Sequence, residues 1–197
     1  MIGLTAALSG CISPKRDSDV INYYSLEYAP PAVSESRGIP VVIRLGKFQV
    51  APVFDTNKMI YREADYKRNA YTYHKWWAKP DDLAAQFLSR DLKAGGLFKA
   101  VLLFNRGLPA THAVEGTVSE FFEEDTGNDR QAVLTMDITL IAENEPDAGR
   151  GIIMQKTYKK TETYQEKNPR ALAEAMSRAM ADVSARIITD IYQALKR

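Results

Sequence analysis

Apolar and polar residues alternate along much of the chain, the pattern that predicts β-strands with one buried face. The clearest run covers residues 130–143, and its residues predicted to point inward are Leu134, Met136, Ile138 and Leu140. Similar runs cover residues 22–28, 39–50, 59–66, 70–77, 97–104, 111–125 and 152–164. In the second of these runs the apolar parity changes at Gly46, which predicts a β-bulge. A charged turn near residues 67–69 is predicted to join two of the strands.

Two segments have the apolar spacing of helices instead. The first begins at Pro80 with Asp81 and Asp82 in its first turn and ends at the pair Gly95 and Gly96. Proline at the start, acids near the positive end of the helix dipole and glycine after the end all favour a helix. Its predicted buried stripe is Leu83, Phe87, Leu88 and Leu92.

The second helix begins after Asn168, which can cap it, with Pro169 in the first helical position. Its apolar residues recur at helical spacing on one face: Leu172, Met176, Met180, Val183, Ile187 and Ile191. The methionines leave a partner groove open as an alternative, although packing on the sheet is favoured. The order of elements therefore predicts an α+β fold, with a single mainly antiparallel β-sheet and two helices packed on one face.

Composition excludes several classes of function. Lys and Arg total 26 against 25 acids, so no global positive field exists to hold nucleic acid. One cysteine and two histidines exclude an intramolecular disulfide framework and leave too few ligands for zinc or iron–sulfur sites. There is also no phosphate-binding glycine loop, no G-x-S-x-G elbow and no H-E-x-x-H. We therefore expect no enzyme activity, no cofactor and no metal.

The single cysteine lies near the start of the chain, in the order Leu8-Ser9-Gly10-Cys11. This order resembles the bacterial lipobox, in which the cysteine thiol receives a diacylglyceryl group and the preceding peptide is removed. We expect residues 1–10 to be the remnant of a lipoprotein signal peptide, because the stretch lacks the usual charged n-region. The true translation start is accordingly expected upstream, or the leader is shortened. Residues 11–20 are then a lipid-anchored tether, and residues 21–197 a single α+β globular domain.

Several motifs in order resemble the ABC-type transport auxiliary lipoproteins, the family that includes paraquat-inducible protein C. They are NYYSLEYAPP behind the lipobox, MIYREADY in a strand and WWAKPDDLAAQFLSRDL at the first helix. The resemblance implies a lipoprotein that works with an ABC permease, its ATPase and a mammalian-cell-entry (MCE) protein. Such systems are thought to move phospholipids or other hydrophobic molecules between membranes. The resemblance also implies a homo-oligomeric ring in some members, and Ile12 after the cysteine favours the outer membrane, facing the periplasm.

The segment from Tyr61 to Trp77 is rich in the residue types that carry binding energy in interfaces. Tyr61, Arg62, Trp76 and Trp77 are therefore the candidate partner interface, beside Cys11 as the lipidation site. For Trp77 alone, core packing is favoured over partner contact, with its ring wedging the first helix onto the sheet.

Other polar residues carry weaker hypotheses. His74 is a poor candidate for a general base, and His112 is expected at the surface. The acids Glu123, Glu124 and Asp125 are expected at a solvated hairpin end rather than in a cation site.

The sequence therefore predicts a non-enzymatic docking subunit of an envelope transporter. Two alternatives stay open. One is an envelope hydrolase whose site is assembled from dispersed residues, and the other is a lipoprotein for peptidoglycan binding or outer-membrane assembly.

Overall fold

The computed structural model describes residues 20–33, 35, 37–104, 107–127 and 129–196. The predicted signal remnant and nearly all of the tether, including Cys11, lie outside the described residues. The described strands are β1 (Asn22–Tyr24), β2 (Ile39–Leu45), β3 (Gln49–Val50), β4 (Lys58–Ala64), β5 (Lys67–Trp76), β6 (Phe98–Leu103), β7 (His112–Asp125), β8 (Arg130–Ala142) and β9 (Ile152–Tyr164). The helices are α1 (Pro80–Ala94), the single turn α2 (Ala148–Gly151) and α3 (Pro169–Leu195), with a 3-10 turn at Pro52–Phe54.

The strands form one large curled sheet that is organised around β7. Strand β8 pairs along one edge of β7, while β2, β3 and β4 pair in succession along the other edge. Beyond β8 lies β9, and beyond β4 lie β5 and then β1. A side branch continues from β2 to β6. Among the described strands, β1 and β9 thus lie at the two ends of the strand order β1-β5-β4-β7-β8-β9.

The α+β class is confirmed, but the prediction of a mainly antiparallel sheet is wrong because the sheet is mixed. The pairs β4–β5, β7–β8 and β8–β9 are antiparallel. The pairs β1–β5, β2–β6 and those of β2, β3 and β4 with β7 are all parallel. Side-chain alternation is the same in both directions, so the sequence identifies strands and local hairpins but not these long-range parallel pairs.

Helix α1 begins and ends, and helix α3 begins, at the residues that the sequence predicts. Pro80 is the first residue of α1, and Gly95 and Gly96 follow its end, with Gly96 at φ 63°. Asn168 caps α3, because its side-chain Oδ1 accepts a hydrogen bond of 2.8 Å from the backbone N–H of Ala171. The cap satisfies one of the backbone donors that a helix start leaves unpaired.

A large hydrophobic core lies between the sheet and the two long helices. Helix α1 contacts β6 and β7, α3 contacts β8 and β9, and the two helices also contact each other. All residues predicted to face inward from β8 and from α3 are fully buried in this core. The methionines of α3 are therefore core residues, which excludes an exposed methionine groove on that face. A second small cluster of Phe54, Phe122 and Val133 is separate from this core.

Two local predictions need correction. The parity change at Gly46 is a break between β2 and β3 rather than a bulge within one strand. The turn between β4 and β5 lies at Asp65 and Tyr66, just before the charged residues 67–69. Tyr66 is fully exposed and has φ 63°, in the left-handed region that favours glycine.

Candidate functional site

The four residues of the candidate partner interface do not form one surface. Tyr61 and Arg62 lie in β4, Trp76 ends β5, and Trp77 follows it. In the pairing of β4 with β5, Tyr61 lies opposite Asn69, eight residues before Trp77 along the chain. At the rise of a strand this separation is roughly 25 Å. The sequence therefore identified two separate places on the same hairpin.

Trp76 is a core residue. Its side chain is 1% exposed and its ring makes an edge-to-face contact with Phe121, with the centroids 5.1 Å apart. Its backbone N–H donates a hydrogen bond of 2.7 Å to the carbonyl of Asn57. Because it has almost no accessible area, Trp76 can hold neighbouring residues in place but cannot itself contact a partner.

Trp77 points the opposite way and is 73% exposed, so the prediction that it wedges α1 onto the sheet is wrong. Its ring makes an edge-to-face contact with Tyr23, at 5.6 Å between centroids. Its backbone N–H donates to the carbonyl of Tyr24 over 2.7 Å, which ties the end of β5 to β1. Tyr23 is not among the candidate residues from the sequence, because only the parallel pairing of β1 with β5 brings it beside Trp77.

Tyr61 and Arg62 lie at the other end of the hairpin and are both partly buried. The Tyr61 ring contacts the ring of Tyr71, with centroids 5.0 Å apart. Arg62 pairs with Glu124, and its guanidinium lies 5.3 Å from the centre of the Phe122 ring. An arginine held by an ion pair and a ring face is pre-oriented, and its remaining N–H groups are available to a partner's carboxylate or carbonyl oxygen.

The acidic end of the β7–β8 hairpin is not solvated as predicted. Glu123 is 2% exposed and Asp125 is 8% exposed, and both face Arg130, which is 9% exposed. The Arg130 Nη2 lies 3.1 Å from Asp125 Oδ2, while its Nε lies 3.7 Å from Glu123 Oε1. The Tyr71 hydroxyl donates to Glu123 over 2.7 Å. These carboxylates are thus engaged in a buried ionic cluster.

The cluster shifts the titration of its members. Burial, reinforced by the hydrogen bond to Glu123, raises the pKa of Tyr71 above its usual range. Burial alone would raise the pKa of Asp125, but the Gly127 N–H, Lys167 and Arg130 together hold it below its usual range. Tyr71 therefore stays protonated as a donor, and Asp125 stays ionised at neutral pH.

The histidines have ordinary structural contacts. The Nδ1 of His74 lies 3.0 Å from the hydroxyl of Tyr24, and its ring meets Tyr71 edge to face. His112 is part-buried rather than fully exposed, and its Nδ1 lies 2.9 Å from the Thr111 hydroxyl. Burial lowers the pKa of His112. The residues that the structure describes include no cluster of three or more His, Cys, Asp or Glu arranged to hold a metal ion. Nor does any described helix combine the length and apolarity of a membrane span.

Comparison with known proteins identifies the family. The family model described as ABC-type transport auxiliary lipoprotein component matches residues 24–188. Among proteins with curated descriptions, none matches the chain. Solved structures with low sequence identity also share the fold.

The chain is similar to protein XCC0632 from Xanthomonas campestris, of the family model DUF330. The TM-score is 0.79 at 13% sequence identity, over 88% of this chain and 95% of that one. It is also similar to the hypothetical protein CT253 from Chlamydia trachomatis, with a TM-score of 0.53 at 10% identity, over 82% of this chain and 100% of that one. At these identities the likeness shows the fold alone. The family match spans most of the sequence, and the chain therefore belongs to the ABC-type transport auxiliary lipoprotein components.

Proposed function

We propose that this protein is a lipid-anchored, non-enzymatic docking subunit of an ABC transporter of the MCE type in the cell envelope. Family membership implies association with an ABC transport system and an envelope location. The observation that carries the finer proposal is the lipobox cysteine, Cys11, which lies just ahead of the matched residues 24–188. The transported molecules are phospholipids or other hydrophobic compounds, and ATP is hydrolysed by the partner ATPase.

The proposed anchor defines three parts of the chain. Residues 1–10 are removed, the thiol of Cys11 carries the lipid, and residues 11–20 form the tether. Residues 21–197 form the single domain that projects from the outer membrane into the periplasm. Two or more acyl chains on one residue anchor a protein durably, whereas one chain binds only marginally.

The proposed docking surface for the MCE protein is the hairpin end with Tyr61 and Arg62. Several features support it: the aromatic pair of Tyr61 and Tyr71, the pre-oriented guanidinium of Arg62 and the buried ionic cluster that stiffens the strands beneath. Rings and arginines on a rigid base lose little entropy when a partner binds. Identical copies arranged in a ring would present several such surfaces to one partner.

An accessory role is supported by the contacts of His74, the most plausible base in the sequence. Its ring stands between Tyr24 and Tyr71, and its Nδ1 is engaged by a tyrosine hydroxyl. These contacts are typical of a histidine that packs between neighbouring aromatic side chains. Turnover of an envelope substrate by the purified protein alone would contradict this proposal.

The anchor is tested by expressing the full chain with its natural leader and with Cys11→Ala. We expect the unaltered protein in the membrane fraction, with mass spectrometry detecting acyl groups on the residue-11 peptide, whereas the variant should carry no acyl group and should retain its leader. If the unaltered protein is freely soluble and carries no acyl group, the proposal is wrong.

Docking is tested by co-purification of the lipidated protein with the permease, ATPase and MCE proteins of the same host. Arg62→Glu should reduce recovery of the partners at least about tenfold, because it reverses a charge in the proposed interface. The control is Arg150→Glu, since Arg150 is 80% exposed in a surface ion pair with Asp147. Equal recovery with both variants would exclude the Arg62 surface.

A further inference from the structure

An exposed apolar and basic surface lies along β1, on the strand edge where the tether meets the domain. Trp77 is 73% exposed and Tyr23 49% exposed, and their rings are in contact. Val20 is 61% exposed and Ile21 is 41% exposed, immediately before β1. Isolated exposed apolar residues are ordinary, but an exposed tryptophan in contact with an exposed tyrosine, close in the chain to two further exposed apolar residues, indicates a contact surface.

Two lysines lie on the same face of the sheet. Tyr23 pairs with Lys75 across β1 and β5, and Lys75 pairs with Lys58 across β5 and β4. Directly paired residues have side chains on the same face, so Lys75 and Lys58 lie on the face of the sheet that carries Tyr23. The next lysine, Lys79, is engaged by Asp55 over 2.7 Å. We call the six residues of this surface the β1 edge patch: Val20, Ile21, Tyr23, Lys58, Lys75 and Trp77.

The composition of the β1 edge patch is typical of the boundary between a bilayer and water. Tryptophan and tyrosine concentrate there because their rings are apolar while their N–H and O–H groups bond to headgroups and water. Lysines beside them bury their methylene stems and direct their charge to anionic headgroups. A protein interface of similar size would favour arginine over lysine at its centre.

The tether begins within the patch. Val20 follows Cys11 by nine residues, and nine residues span at most about 32 Å when fully extended. As a flexible coil the same segment averages about 17 Å. A lipid on Cys11 therefore keeps the β1 edge patch close to a bilayer, and this high local concentration allows weak contacts to become occupied.

We propose that the β1 edge patch lies on the headgroup layer of the membrane that holds the Cys11 lipid, as a second contact that fixes the orientation of the domain. The inference rests on the lipid anchor of the proposed function. Trp77 and Tyr23 enter the interface, while Lys58 and Lys75 bind anionic headgroups.

The two tryptophans permit a direct test. The sequence contains only Trp76 and Trp77, of which one is buried and the other exposed. The lipidated full chain is reconstituted in vesicles of phosphatidylethanolamine and phosphatidylglycerol, and its fluorescence is measured with and without lipids brominated near the headgroup. We expect the tryptophan fluorescence of the lipidated protein to peak at a shorter wavelength than that of the Cys11→Ala protein in detergent-free solution. We also expect the brominated lipids to quench it strongly. Trp77→Phe, which leaves only the buried Trp76, should abolish the quenching.

A second arm separates this contact from the anchor. Unlipidated full-length Cys11→Ala protein is floated with the same vesicles at low salt. Adding Trp77→Ser and Tyr23→Ser should lower the bound fraction at least about tenfold. Adding Lys58→Glu and Lys75→Glu instead should lower the bound fraction on anionic vesicles and leave binding to uncharged vesicles unchanged. The control is Ile152→Ser, since Ile152 is an apolar residue that is 51% exposed on β9 and does not belong to the β1 edge patch. It should bind as the parent does.

Three outcomes overturn the proposal. Trp77 could remain unquenched by brominated lipid although the lipidated protein floats with the vesicles, or the patch variants could bind as Ile152→Ser does. Trp77 could also become protected only when the transporter proteins are added, which would assign the patch to a protein partner. Failure of the lipidated protein to float at all would instead contradict the anchor, so the two failures are distinguishable.

Discussion

At the scale of single residues, the ring of Phe48 packs closely against Gly116 of the sheet. Phe48, between β2 and β3, is 2% exposed, and its ring fills the space above Gly116 of β7. A Cβ placed on Gly116 would lie 2.5 Å from Cε2 of Phe48, well inside van der Waals contact. The ring can move only by displacing other core residues. Position 116 therefore requires glycine, which has no side chain.

We expect Gly116→Ala to lower the free energy of unfolding by about 2–3 kcal/mol, because it overpacks a filled core. Equilibrium urea unfolding followed by circular dichroism measures the change. The matched control is Gly46→Ala, where the nearest atoms to a new Cβ are 3.8 Å away. If both alanines shift the midpoint equally, the contact with Phe48 is not the cause.

At the scale of elements, the hairpin of β4 and β5 contains a turn whose residue does not fit its conformation. Tyr66 has φ 63° and its side chain is fully exposed, so it gains no packing in return for the left-handed backbone. The left-handed conformation costs an ordinary residue roughly 1–2 kcal/mol, and glycine avoids this cost.

We expect Tyr66→Gly to raise the free energy of unfolding by about 0.5–1 kcal/mol, after the greater flexibility of glycine in the unfolded chain is subtracted. Tyr66→Ala is the control, since it removes the ring but keeps the Cβ and thus the strain. Thermal unfolding should show a higher midpoint for glycine than for alanine. The same midpoint for both variants would contradict the backbone argument.

The elements themselves were predictable because their signals are local. Pro80 and Gly95 bound α1, and Asn168 precedes α3, through chemistry within one helical turn. Alternation in β8 identified its inner face for the same reason. The direction of pairing was not predictable, since β2, β3 and β4 meet β7 in parallel across long stretches of sequence that carry no turn signal.

At the scale of the whole molecule, the lack of long-range pairing signals in the sequence also explains why the candidate site was only partly predictable. Alternation along β5 puts Trp76 and Trp77 on opposite faces, and in the structure one is buried and the other exposed. It did not show which face the core covers, because that depends on β1, α1 and the rest of the sheet. Tyr23 could be joined to Trp77 only by the pairing of β1 with β5. The burial of Glu123 likewise depends on Tyr71, which is distant in the sequence.

The buried ionic cluster joins distant parts of the molecule, with Arg130 on β8, Glu123 and Asp125 on β7, and Lys167 ahead of α3. Removing Arg130 would leave two carboxylates with little access to water, an arrangement that typically costs about 3–5 kcal/mol. We expect Arg130→Met to lower the free energy of unfolding by that amount at pH 7, measured by urea titration. Arg150→Met, in an exposed ion pair, should change it by less than about 0.5 kcal/mol.

The pH dependence gives the cluster a second signature. The pKa of Asp125 is lower in the folded protein than its usual value, so the folded state favours the ionised form. Its contribution to stability is present above the ordinary aspartate pKa of about 4 and is lost as the pH falls through the lowered folded pKa. In Arg130→Met the folded pKa of Asp125 rises. The part of the acid-induced loss of stability that comes from the pairing of Arg130 with Asp125 should therefore disappear. Urea midpoints measured between pH 7 and pH 3 should therefore converge for the parent and the variant, and a constant difference across that range would show that Arg130 stabilises the fold by packing rather than by charge.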